Sequence, residues 1–444
     1  VTNINYKTEL TKLESITVYP SQLTNGCSVS VPGSKSLTNR IVLLAAFAEG
    51  ATHVKGVLAS EDTRWAFGAL KDLGFQFEQL ETDQYIIHGQ SGEVPNSKAK
   101  LYIGGAGTLA RFLPGLLCAS PTKGTWHISG DATLQKRPQK PLLDCLKSMN
   151  AEIKCHLQDG FLPIEIAGDS LIGGESIIDG SISSQFVSGL LMAAPMTKLG
   201  LKLKVPGHIV QKEYIAMTES LMRHFGVETK KEDTTWIVNR ANYNSCELSV
   251  DADVSSAAYF FAFAAAHAKT ITVNNLMLFN QQPDIQILDA LKQMGCDVVE
   301  SNGSTQITGP DQLKGGFTFD LTEYSDQALT LGVLAALCDA PIELTGIGHI
   351  RYHESDRLQS LHYNLSQVGI TSKLTPTGII IYPGKILSGT IDPRSDHRCA
   401  MSFAVLASKS KEMKILNPSC VMKTFPSFFS LIASIGIQIS GSRL

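Results

Sequence analysis

One pattern, repeated six times, limits what this chain can fold into. An alanine-rich apolar run of helical character precedes a short strand-like run. The pairs are RIVLLAAFAEG (40–50) then THVKGV, RFLPGLLCAS (111–120) then TWHISG, and FVSGLLMAAP (186–195) then LKLKVPG. They continue with AAYFFAFAAA (257–266) then TITVNN, QALTLGVLAAL (327–337) then PIELTG, and CAMSFAVLAS (399–408) then MKILNP. The period is about 70 residues, as expected for stacked copies of one supersecondary unit.

A second, amphipathic helix recurs in register between these runs, as in RWAFGALKDLGFQFE (64–78) and DIQILDALKQMGCDVVE (284–300), with apolar positions at helical spacing. The six copies end at Gly74, Asn150, Gly226, Gly295, Gly369 and Gly436. Glycine, and next asparagine, is what a left-handed helix C-cap requires. A strand follows each cap, and a further strand-like run comes later in five units: YIIHG, LPIEIAG, TWIVNR, TQITGP and GIIIYPG. The sixth unit ends at Leu444 without it, while the N-terminal run SITVYP has no helix pair of its own. The N-terminal strand is therefore expected to complete the sixth unit. That requires the chain to leave one lobe near 28–33 and return near 249–253. Three units per lobe follow: 31–248, and 1–30 with 249–444. Two short crossovers predict a hinge.

Length agrees, since 444 residues exceed one ordinary core. A net charge of −3 argues against a general nucleic-acid or membrane-surface binder, so any attraction for anions must be local. The nine cysteines are scattered, odd in number and form no CxxC pair. That argues against zinc or a disulfide framework and predicts a reducing, cytoplasmic location. The N-terminal stretch reads as too polar for a secretory leader, and no apolar run reaches the roughly 18–20 residues of a membrane span.

Polar segments precede the alanine-rich helices: SKSLTNR (34–40), GGAGTLAR (104–111), SISSQ (181–185), DADVSS (251–256), TEYSDQ (322–327) and SDHR (395–398). Capping explains many of their Ser, Thr, Asp and Gly residues. It does not explain Lys35, Arg40, Arg111 or Arg398, because cations are disfavoured at a helix N-terminus unless an anion sits there too. The VPGSKSLTNR stretch (31–40) is not a Walker loop, since Ser34 separates Gly33 from Lys35. RYHESDR (351–357) and KTFP (423–426) add Arg351, Glu354, Arg357 and Lys423. Many cations beside a few carboxylates suit transfer chemistry on phosphates and carboxylates.

Taken in order, VPGSKSLTNRIVLLAAFAEG, GGAGTLARFL, SISSQF, DADVSSAAYF, HESDR, DHRCAMSF and KTFPSFF resemble the 5-enolpyruvylshikimate-3-phosphate synthase (3-phosphoshikimate 1-carboxyvinyltransferase) family. The resemblance runs from Val31 to Pro426. It implies an α/β fold, a two-lobed inside-out α/β barrel of six βαβαββ units, three per lobe, with the chain crossing twice. It implies transfer of the enolpyruvyl group of phosphoenolpyruvate to the 5-hydroxyl of shikimate 3-phosphate. Phosphate is released by addition and elimination through a tetrahedral intermediate, in the shikimate pathway of aromatic amino-acid biosynthesis. No cofactor and no metal are implied. The partners are the two small-molecule substrates, with no nucleic acid or membrane, and a monomer is expected.

By position, the resemblance implies Lys35, Asp326 and Glu354 as catalytic, Asp326 as base toward the 5-hydroxyl and Glu354 as acid toward the methylene. Lys35, Ser36, Arg40, Ser183, Ser184, Gln185, Gln211, Tyr214, Asp326, His349 and His353 are implied to contact shikimate 3-phosphate, mainly from the 31–248 lobe. Lys35, Gly107, Arg137, Gln185, Arg357, His397, Arg398 and Lys423 are implied to hold phosphoenolpyruvate. The lobe of 1–30 and 249–444 would carry the catalytic carboxylates and the phosphoenolpyruvate clamp. Some positions depart from the family pattern: Gly105 stands for Asn, Phe112 for Pro, Gln211 for Ser, His349 for Asn and His353 for Lys. A histidine carries little charge at neutral pH. Either Arg351 compensates for the missing charge or the shikimate phosphate protonates His353, and in the second case affinity for shikimate 3-phosphate should rise as pH falls toward 6. Two rivals are a shikimate-ligand-binding paralogue without turnover and the sister enzyme acting on UDP-N-acetylglucosamine. The latter needs Lys-Asn where this chain has Lys35-Ser36, and a reactive cysteine, for which Cys118 is poorly placed.

Overall fold

The computed structural model describes residues 10–168, 171–277, 282–301 and 303–443. The polar N-terminal stretch read above includes residues 1–9, which lie outside the described residues. The chain divides into two compact units, Gly33–Asp251 and Val1–Pro32 with Ala252–Leu444. The crossings thus fall two to three residues beyond the boundaries read from the sequence.

In the 33–251 unit the helices are α1 (Lys35–Phe47), α2 (Glu61–Asp72), α3 (Gly107–Ala119), α4 (Lys140–Ser148), α5 (Ser184–Ala193) and α6 (Glu213–His224). In the other they are α7 (Val254–His267), α8 (Ile287–Gln293), α9 (Ala328–Ala335), α10 (Arg357–Gln367), α11 (His397–Lys409) and α12 (Phe428–Ser434). The odd-numbered helices are the alanine-rich ones. Every residue of α3, α7 and α9 is buried, as expected of helices apolar all round. Within each unit these helices pack on one another, with four-stranded sheets flanking them. No sheet closes into a barrel among the described residues. The even-numbered helices bury one face only. All six caps named from the sequence have positive φ, from +75° at Asn150 to +100° at Gly436. A glycine also governs the packing of α3 on α5. A Cβ at Gly189 would lie 2.2 Å from the Arg111 carbonyl oxygen, so only Gly lets these backbones come this close.

The six sheets share one strand order. In the second repeat, 98–102 pairs in parallel with 124–129, which pairs antiparallel with 164–168, and that with 152–155. In the sixth sheet the third position is taken by Leu13–Val18, hydrogen-bonded between 413–416 and 439–443. Without it both neighbours would expose unpaired edges. The strands just before the two crossings stay within their own units. Cys27–Val29 pairs with 270–273, and Glu247–Ser249 pairs with 49–55. Each strand remains with the unit it leaves, while the helix that follows starts the next. All nine cysteines are free thiols. Among the described residues no helix is long and apolar enough to cross a membrane.

Candidate active site

In the 33–251 unit the expected site residues gather at helix N-termini. Ser34 caps α1 by accepting from the Leu37 amide, and Lys35 is the first helical residue. Its Nζ lies 3.6 Å from Asp62 Oδ2. Ser36 contributes its backbone, because its carbonyl oxygen accepts from Arg40 Nη1 at 2.9 Å. Arg40 is 1% exposed. Its Nε donates to Thr218 Oγ1 at 2.8 Å and its Nη2 to the Tyr214 carbonyl at 3.4 Å. The guanidinium also stacks over Phe112 and Tyr214. All these partners are neutral, and among the described residues no carboxylate pairs with it. Burial, only partly offset by Tyr214, pulls Arg40 down to about 10. A buried cation held by neutral groups is arranged to receive an anion.

Thr218 in turn donates to Ser188 of α5 at 2.9 Å, so Arg40 ties α1 to α6 and, through Thr218, to α5. Ser183 caps α5 by accepting from the Gln185 amide at 3.3 Å; Ser184 is buried and Gln185 half-buried. Gln211 takes a left-handed turn with φ +50°, and its carbonyl accepts from the Tyr214 amide. Gly107 opens α3 beneath two guanidiniums. A Cβ there would lie 2.6 Å from Arg137 Nη1 and 3.1 Å from Arg111 Nη1. Arg111 Nη1 donates to the Gly107 carbonyl. Two cations at a helix N-terminus form a strong anion site.

In the other unit one side chain organises the rest. Arg357, in the first turn of α10 and 2% exposed, donates from Nε to Asp396 Oδ2 at 2.8 Å, from Nη1 to Asp326 Oδ1 at 2.7 Å and from Nη2 to Glu354 Oε2 at 2.7 Å. Asp326 also accepts from Arg398 Nη2 at 2.7 Å. Lys423 Nζ lies 3.4 Å from Glu354 Oε1. Burial raises the Asp326 carboxyl, but the Arg398 and Arg357 guanidiniums override it and hold it well below the usual carboxylate range. Burial likewise works against charged Arg357, and Asp396, Glu354 and Asp326 outweigh it, so it stays protonated. Asp396 caps α11 through the Arg398 amide, and His397 Nδ1 is 3.8 Å from Asp396 Oδ1. His349 joins through Ser325, whose Oγ is 2.8 Å from its Nε2.

His353 behaves otherwise than the sequence suggested. Its Nδ1 sits 3.1 Å from Arg357 Nη1. A guanidinium can only donate, so Nδ1 is the acceptor and the ring proton is on Nε2. Burial first, and the Arg357 charge second, push His353 well below its ordinary value. Arg351 is engaged with Asp356 at 3.3 Å. The expected rise in affinity toward pH 6 through protonated His353 is therefore withdrawn. A second histidine has the same sense: His267, hydrogen-bonded to Ser408 at 2.9 Å, is pushed down to about 4 by burial and by Lys409 and Lys269. Both rings are neutral in the folded chain, whereas the unfolded chain takes up their protons below about pH 6.5. Their contribution is complete above that pH and is lost as pH falls below it, for His267 down to about 4. Asp326 contributes in the same direction, only lower on the scale. Melting temperature should thus decline between pH 7 and 5, before most carboxylates protonate, and His267→Gln should flatten the decline. Parallel melting profiles for variant and wild type would contradict this.

Among the described residues no group of three His, Cys, Asp or Glu side chains is arranged to hold a metal ion. Cys118 is buried at the end of α3 and pushed up to about 12 by burial, which leaves it a poor nucleophile. The sequence reading missed Asp396 as the third carboxylate on Arg357, because its capping role accounted for it. It also missed Asp284 and Ser255, which meet behind Arg398.

A family model described as EPSP synthase (3-phosphoshikimate 1-carboxyvinyltransferase) matches residues 21–432. The chain belongs to the EPSP synthase family. Among relatives in this family, a protein of Halalkalibacterium halodurans named 3-phosphoshikimate 1-carboxyvinyltransferase 2 is 39% identical over 437 residues, covering 97% of both chains. A 3-phosphoshikimate 1-carboxyvinyltransferase of Methanosphaerula palustris is 37% identical over 92% of this chain and 96% of its own. The solved EPSP synthase of Acinetobacter baumannii superposes with a TM-score of 0.81 at 28% identity, over 97% of this chain and all of the other. The six-repeat architecture is thus shared with a solved EPSP synthase.

Proposed function

We propose that this chain transfers the enolpyruvyl group of phosphoenolpyruvate to the 5-hydroxyl of shikimate 3-phosphate, releasing phosphate, as a step of the shikimate pathway. The observation that carries the reading is Arg357 holding Asp326 and Glu354 at 2.7 Å each, with Arg398 and Lys423 on their far sides. Two carboxylates fixed on one guanidinium give a base and an acid at a set separation, amid cations suited to anionic substrates. In the addition step Asp326 takes the hydroxyl proton as the oxygen bonds to C2, and Glu354, which first takes up a proton from solvent as the substrates bind, gives that proton to the methylene. In the elimination step the C2–phosphate bond breaks, the methyl group returns a proton to Glu354, and the phosphate leaves with the proton from Asp326.

Arg40, with Lys35, Ser36, Ser183, Ser184, Gln185, Gln211 and Tyr214, is assigned to shikimate 3-phosphate. His353 enters as a neutral donor beside His349. Gly107 and Arg137, together with Lys35, Gln185, His397, Arg398 and Lys423, are assigned to phosphoenolpyruvate. Among the described residues, Arg357 commits four of its five N–H groups within the protein, which leaves one for an incoming anion. No cofactor or metal is assigned. A cytoplasmic location fits the free thiols, and the chain is assigned as a monomer. The deciding experiment is phosphate release that requires both phosphoenolpyruvate and shikimate 3-phosphate. Binding without release would favour a non-catalytic paralogue. Release with UDP-N-acetylglucosamine instead would favour the sister activity, against which the unreactive Cys118 counts. Gly107→Ala should crowd Arg137 and raise KM for phosphoenolpyruvate about tenfold, the equivalent of one weakened charge-assisted bond, with KM for shikimate 3-phosphate little changed. Equal changes in both constants would remove Gly107 from the phosphoenolpyruvate side.

A further inference from the structure

A second buried acid lies behind the Asp326–Arg398 pair. Asp284 is 1% exposed and stands on the short turn Pro283–Gln286 that precedes α8. The turn is fastened to the start of α7 by Gln282, whose Nε2 donates to the Ala252 carbonyl at 2.7 Å and whose Oε1 accepts from the Val254 amide at 3.2 Å. Ser255, in the first turn of α7, donates a short hydrogen bond to Asp284 Oδ2. The same hydroxyl accepts from Arg398 Nη2 at 3.3 Å, and that nitrogen donates to Asp326 Oδ2 at 2.7 Å. One guanidinium nitrogen therefore serves two carboxylates, Asp326 directly and Asp284 through a hydroxyl.

We propose that Asp284 is a positioning residue for the base Asp326: through Ser255 it fixes the Arg398 guanidinium, and its charge keeps Asp326 able to accept a proton. The proposal rests on the enolpyruvyl-transfer reading. Two guanidiniums at 2.7 Å lower the proton affinity of Asp326, and a base of very low affinity is a weak catalyst. A nearby second carboxylate opposes that effect. It also serves the next moment of the reaction. When Asp326 takes the hydroxyl proton and becomes neutral, Arg398 keeps Asp284 as counter-anion and is not left buried and unpaired. The groups facing Asp284 are Asp253, just before α7, and Ser255 within it, Asp326 from the turn before α9, and Arg398 from α11. Burial and Asp326 raise it to about 6 against the pull of Arg398 and Ser255, so its charge is lost in a range where activity can be measured. The two acids titrate as a pair.

The test compares Asp284→Asn, which keeps the shape and an acceptor for Ser255, with wild type from pH 5 to 8. The readout is phosphate release from phosphoenolpyruvate and shikimate 3-phosphate. At pH 7.5 kcat should fall about tenfold, one unit of proton affinity at Asp326, while each KM changes less than about threefold. The ratio of wild-type to variant kcat should narrow below about two at pH 5, where wild-type Asp284 is itself neutral. Taking the ratio cancels titration of the substrates' own phosphates, which ionise near pH 6. A merely structural role would give a ratio that does not depend on pH, and that result overturns the proposal, as does an unchanged kcat. Should Asp284→Asn fail to fold, Ser255→Ala keeps the charge and cuts the link. It should lower kcat several-fold while retaining the inflection near pH 6, and an unchanged kcat would overturn positioning through Ser255. Wild type releasing no phosphate from the two substrates would sink the reading of function itself, a result separate from a flat ratio.

Discussion

Arg357→Ala should abolish turnover and at the same time destabilise the unit it organises by about 3–5 kcal/mol, the usual consequence of stripping one partner from a buried ion cluster. The reason is the convergence of Asp326, Glu354 and Asp396 on a single guanidinium. Asp396 is fully buried, and the other two are largely so. Without Arg357, Asp326 keeps Arg398 and Glu354 keeps Lys423, but the separation of base and acid is no longer set. Three negative groups would also repel one another in a poorly solvated space. Arg357→Lys should rescue little, since one ammonium cannot span three carboxylates as a planar fork does. Thermal unfolding together with phosphate release measures both halves of this expectation. A Tm within about 2 °C of wild type would show that the cluster is not held by Arg357, since a loss of this size should shift Tm by roughly 10 °C.

Lys35→Ala should separate the two effects. Turnover should fall by about 10²–10³-fold, as when one charge-stabilising donor of a transition state is removed, while the fold persists. Lys35 is partly exposed, and its pairing with Asp62 is long, at 3.6 Å. Asp62 lies in the first turn of α2, where free backbone N–H groups favour an anion even without the lysine. Stability should thus change by no more than about 1 kcal/mol. A variant with near-normal kcat would remove Lys35 from the chemistry. A variant that does not fold would show that Asp62 depends on it.

Particular residues show how much could be read in advance. Gly74, Asn150, Gly226, Gly295, Gly369 and Gly436 marked helix ends because a left-handed cap is a property of a single residue's backbone. The N-terminal run SITVYP (15–20) could be assigned to the sixth unit because hydrophobic patterning counts strands and shows which is missing. Lys35, Arg40, Arg111 and Arg398 stood out because a cation near a helix start contradicts the local dipole, so the sequence itself registers the conflict, whereas Arg357 was visible only as part of the RYHESDR charge cluster. Asp396 gave no such signal: its capping bond to the Arg398 amide satisfies every local rule, and its bond to Arg357 links positions 39 residues apart. Asp284 and Ser255, 29 residues apart, were silent for the same reason.

The departure of His353 from lysine is the sharpest case. Its chemical identity suggested a charge that a fall in pH could supply. The tertiary environment buries the ring and puts a permanent cation 3.1 Å from Nδ1, which reverses that expectation. The sequence by itself determined the number of repeats, their helix caps, the missing strand and most of the cations, since each is written in local periodicity or in one residue's conformational preference. Only the tertiary structure decided which acids share Arg357, which acid lies behind Arg398, and whether His353 carries a proton. Those outcomes depend on burial and on separations of a few ångströms between distant segments, and Coulomb energies in a poorly solvated interior change steeply over such distances.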